Sequence, residues 1–114
     1  MLAEMASTMI ANLEKLLDTP RDGALLRYSL GCEHLKAGEP ERGIQRLREA
    51  LERDPGYSAA WKVLGRALAA GGQVDEARAA YASGIEAARK RGDRQAEREM
   101  TVFARRLAPK GERA

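Results

Sequence analysis

One spacing constrains this chain more than any other feature. Leu30 and Leu64, Gly31 and Gly65, Gly38 and Gly72, and Gly43 and Ala77 each stand 34 residues apart. A fixed period that keeps large and small residues in phase marks a structural repeat, because every unit must offer its neighbour the same face to bury. Within the period, apolar residues recur at three- and four-residue steps, broken by glycine midway and by Asp54, Pro55 and Gly56 at the end of the first copy. Each copy is therefore a helix, a turn and a helix, an αα-hairpin used twice.

Composition agrees with an all-α chain. Alanine, leucine, glutamate and arginine dominate, and aromatics make up only 4%, which is helix-packing rather than strand-packing material. The 114 residues suffice for one domain and leave little for a second. The single cysteine, Cys32, excludes an intramolecular disulfide and fits a reducing compartment. Glu4 and Asn12 interrupt the N-terminal apolar residues, no basic region precedes them, and no apolar run approaches a membrane span. The expected site is the cytoplasm.

The segment from Leu2 to Leu17 carries a stripe of Leu2, Met5, Met9, Leu13, Leu16 and Leu17, widened by Ile10, and is expected to form an amphipathic helix over 2–17. Asp18 to Gly23 is turn chemistry around Pro20. Helices are then expected from Ala24 to Ala37, from Pro40 to Arg53, from Ser58 to Ala70 and from Val74 to Arg91, with Gly38 and the Gly71–Gly72 pair as turns. Gly92 closes the last of these and Asp93 caps a final helix over 93–107, faced by Ala96, Met100, Phe103 and Leu107 and ended by Pro109 and Gly111. The tail is 108–114. The expectation is about six helices in antiparallel pairs.

The offsets resemble those of the tetratricopeptide repeat family, with one repeat over 58–91 and another over 24–57. Trp61, Leu64, Gly65, Leu68, Ala77 and Tyr81 take signature positions in the later copy, with Leu68 where tyrosine is usual and Arg89 where proline is usual. Leu30, Gly31 and Pro55 fit in the earlier copy, whereas Arg27, His34, Gly43 and Leu47 depart in identity or size. With its frame moved by one residue, the Phe103 helix resembles the solvating helix that ends such arrays. The resemblance implies an α-α superhelix. A glycine within a helix costs roughly 1 kcal/mol relative to alanine, so Gly31 and Gly65 at one phase imply that the paired helices need a missing side chain there.

Catalytic chemistry finds little support. His34 is the only histidine, no phosphate loop or metal-ligand spacing occurs, and Cys32 and His34, two apart on a helix, point to different faces. Both read as packing residues, and acidic residues are scattered among basic ones as on solvated faces. No enzyme, metal or cofactor is expected.

The resemblance implies instead a peptide held along a concave groove lined by the first helix of each pair. Carried over, the groove residues are Leu25, Tyr28, Cys32, Leu35 and Lys36, then Ala59, Lys62, Arg66, Ala69 and Ala70, with Arg94, Thr101 and Arg105 on the last helix. This lining fits a protein segment with acidic residues, or a free C-terminal carboxylate held by Lys62 and Arg66; the competing reading of those two is a solvated helix face. The subclass that grips acidic chaperone tails is not matched, because Tyr28, Cys32 and Val63 replace its lysine and asparagines. Two alternatives stand beside the adaptor. One is self-association, a homodimer through the wide N-terminal stripe. The other is nucleic-acid contact through Arg89, Lys90, Arg91, Arg94 and Arg98, against which a solvated basic helix end is the commoner explanation; net charge is only +3.

Overall fold

A computed structural model of the chain describes residues 1–109, the side chains of Leu2 and Ala3 excepted. Six helices and no strands form among the described residues: α1 Leu2–Glu14, α2 Ala24–Lys36, α3 Pro40–Arg53, α4 Ser58–Ala70, α5 Val74–Arg91 and α6 Arg94–Leu107. The punctuation works as the residues dictate. Gly38, Gly72 and Gly92 adopt φ values of 77°, 79° and 74° at helix ends, and the Asp93 carboxylate accepts the Ala96 N–H at 3.0 Å as the cap of α6. Gly111, read as a terminator, lies outside the described residues.

The first helix is three residues shorter than its stripe suggests. After Glu14 the chain tightens, with Leu16 N–H donating to Leu13 and Leu17 N–H to Glu14, and Asp18 turns into the left-handed region at φ 62°. Asp18 holds that conformation by donating its N–H to the Asp22 carboxylate at 2.9 Å, a local bond that competes with helix propagation. The buried face also differs: Ala6 and Ile10 are buried, whereas Met5 and Met9 remain 63% and 48% exposed. Leu2 lies outside the described side chains.

The chain divides into two compact units, Met1–Pro55 and Gly56–Ala114. In the first, α2 pairs along α3 while α1 packs on α2, joining Ile10, Leu26 and Leu30 with the half-buried Leu13, Leu16 and Leu17. In the second, α4 pairs with α5, and α6 packs on α5 and more lightly on α4. Tyr81, Ala88, Ala96 and Met100 are buried there against Trp61, Ile85, Phe103 and Leu107, with the Tyr81 and Phe103 rings tilted 49° at 5.7 Å.

The phased glycines are points of contact between paired helices. A Cβ at Gly31 would stand 2.8 Å from Leu47 Cγ and 3.1 Å from the Gly43 carbonyl oxygen, and one at Gly65 would stand 2.5 Å from the Tyr81 ring. Gly31 and Gly65 thus trade helix propensity for close packing of a large side chain from the partner helix.

Candidate functional site

On α2, Leu25 is exposed, Tyr28 and Cys32 are half-buried and Lys36 is exposed beside Glu33, at 3.2 Å. Leu35 does not serve an open face. Its Cδ2 would lie 2.8 Å from a Cβ at Gly43, so the side chain fills the seam between α2 and α3. On α4, Ala59 and Ala69 are half-buried, and Ala70 is exposed at the helix end. Arg66 is exposed and its side chain has no hydrogen bond or ion pair among the described residues. The half-buried Lys62 places its ammonium 3.5 Å from the Glu99 carboxylate of α6.

The three α6 residues fall elsewhere. Thr101 and Arg105 line an open cleft of about 560 Å³ with Asp75, Arg78, Ala79 and Ala82 of α5, and Thr101 and Arg94 line a larger one of about 840 Å³ with Arg98 and Val102. Residues 99 and 101 project about 200° apart on a helix, so Thr101 stands on a different side of α6 from the carboxylate that meets Lys62. The second unit therefore presents two faces, one around Lys62, Arg66 and Glu99 and one along α5 and α6.

The most developed electrostatic cluster lies in the first unit and escaped the sequence reading, which set acidic residues on solvated faces and took Arg27 as a departure from the repeat. Arg27 is buried in the position that Trp61 takes one period later. Its guanidinium donates to Asp22 at 3.0 and 2.7 Å and to Glu49 at 2.8 Å, and Arg46 donates to Glu49 at 2.9 Å. The Arg27 hydrogen bond holds the Asp22 carboxyl well below the usual carboxylate range. Burial raises the Glu49 carboxyl, but hydrogen bonds from Arg27 and Arg46 outweigh it and leave a net lowering. No period reveals such a cluster, because its partners come from a turn and from α3; the only sequence signal is a charged residue in an aromatic place.

His34 is buried as a packing residue, more fully than its sequence suggests, with Nδ1 3.1 Å from a Glu39 carboxylate oxygen. Cys32 is a free, half-buried thiol. Among the described residues no group of histidine, cysteine and acidic side chains is placed to hold a metal ion, and no helix is long and apolar enough to cross a membrane.

Residues 28–96 match the family model described as tetratricopeptide repeat. A TPR repeat-containing protein of Pseudomonas aeruginosa is 50% identical over 99 residues, which span 87% of this chain and 94% of that one. The solution structure of a Bordetella parapertussis protein superposes with a TM-score of 0.74 at 42% identity, over 86% of this chain and 85% of that one. A tetratricopeptide repeat domain protein of Salinibacter ruber superposes with a TM-score of 0.72 at 31% identity, over 79% of this chain and 90% of that one. The chain belongs to the tetratricopeptide repeat family, and its fold is that of a protein-interaction module.

Proposed function

We propose that the chain is an adaptor that holds an acidic segment of another protein, or its free C-terminal carboxylate, through Lys62 and Arg66 of α4. One observation carries this reading: the two cations stand one helical turn apart, flanked by Ala59 and Ala69, and the Arg66 side chain has no hydrogen bond or ion pair among the described residues. Small flanking residues let a peptide backbone approach, and a guanidinium beside an ammonium suits a carboxylate. The Lys62→Glu, Arg66→Glu double variant is expected to lose capture of partners from a cell extract with helicity and Tm nearly unchanged. Capture at the wild-type level overturns the proposal.

A second reading, self-association, draws on the exposed Met5 and Met9, which line an open apolar cleft with Met1 and Thr8. Sedimentation at tens of micromolar checks it; a monomer there removes it.

A further inference from the structure

The face of the second unit along α5 and α6 has the shape and chemistry of a helix-binding groove. Helices α2 and α4 are each the first of a pair and lie along a second, α3 and α5. Helix α6 repeats the phase of a first helix through its buried Ala96 and Met100, and a first helix of a repeat packs a second against its open side. The space where such a helix would pack runs between α5 and α6. Its floor is small and apolar, built from Ala79, Ala82 and Ala104 beside Ile85, and small floor residues let two helix backbones come within about 8–10 Å.

Its rim is basic. Arg94, Arg98 and Arg105 are exposed along one stripe of α6, and none of their side chains has a hydrogen bond or ion pair among the described residues. Arg89 is already held by Glu97 at 2.6 Å. The three arginines span about 16 Å at 1.5 Å per residue, so carboxylates on one side of a partner helix can reach all of them. We infer that the groove between α5 and α6 takes one amphipathic helix of a partner protein, with small apolar residues on the alanine floor and carboxylates toward Arg98 and Arg105. A nucleic-acid backbone fits less well, since an apolar floor offers phosphates nothing. This surface is separate from Lys62 and Arg66 and stands without the reading given for them.

The test uses the full chain and two labelled synthetic peptides of about 18 residues, long enough to hold a helix. One carries glutamates beside an alanine and leucine stripe; the other has the same composition scrambled to remove the stripe. Fluorescence anisotropy is expected to show the striped peptide binding about tenfold tighter than the scrambled one. Arg98→Glu with Arg105→Glu is expected to weaken it about tenfold or more, the order for lost charge pairs at an interface. Ala82→Tyr, which fills the floor while keeping every charge, is expected to do the same. Arg42→Glu, an exposed charge reversal on α3 outside both candidate faces, is expected to leave it unchanged, which separates a groove effect from a change in net charge. Equal binding of the two peptides, insensitivity to either groove variant, or preference for a DNA duplex over the striped peptide overturns the inference.

Discussion

Arg27 and Asp22 meet in a two-pronged ion pair, Nε to Oδ1 at 3.0 Å and Nη2 to Oδ2 at 2.7 Å, in the place that an indole fills one repeat later. The first unit thus fills an aromatic-sized position with a fork of charge, satisfied from a turn on one side and from α3 on the other. Planar guanidinium geometry makes this workable where a lysine would leave donors unmatched.

That pair makes stability depend on pH in a defined direction. Asp22 and Glu49 both have folded-state values lowered from 3.8 and 4.5. Lowered carboxylates contribute stability that is present above the unfolded values and lost as pH falls through the folded ones. The Tm of the wild-type chain is therefore expected to fall below about pH 4.5, and Arg27→Met is expected to flatten that fall while lowering Tm at pH 7, with a cost of about 2 kcal/mol for lost charged hydrogen bonds. Thermal melts followed by circular dichroism from pH 2.5 to 7 check it; parallel curves for the two proteins refute it.

At Gly65 the Tyr81 ring leaves no room for a methyl group. Gly65→Ala gains roughly 1 kcal/mol of helix propensity but must displace a buried aromatic ring, which costs about 1–3 kcal/mol. The expected outcome is net destabilisation, read as a lower denaturant midpoint. A higher midpoint shows that the ring yields without cost.

Glu99 competes internally for Lys62. Glu99→Gln removes the competing charge, and a synthetic acidic peptide ending in a free carboxylate is expected to bind about two- to fivefold tighter, the range that a partly exposed ion pair is worth. Titration of that peptide decides it. Unchanged or weaker binding means that Lys62 does not meet the ligand.

The helical frame was legible because its signals are local. Gly38, Pro40, Gly72, Gly92 and Asp93 act within a few residues, and α2 to α6 fall where those residues put them. The end of α1 was not, since Asp18 leaves the helix for a bond to Asp22 that no apolar stripe encodes. At the candidate faces, sequence offset placed Arg94, Thr101 and Arg105 with Lys62, but Glu99 is the α6 residue that reaches the lysine. A one-residue change of frame rotates a helix by about 100°, so an offset carried across it leaves open which side chains share a face. Leu35 illustrates the same limit, for only the packed pair shows that Gly43 leaves it a socket.

Trp61 is the only tryptophan and belongs to the Gly56–Ala114 unit, while Cys32, the only cysteine, belongs to Met1–Pro55. Nature has in effect placed one optical reporter in each half of the molecule. Indole emission follows the later unit without any labelling, and a dye on the lone thiol follows the earlier one. Cooperativity between the halves can therefore be read in one denaturation of the wild-type sequence carrying that dye.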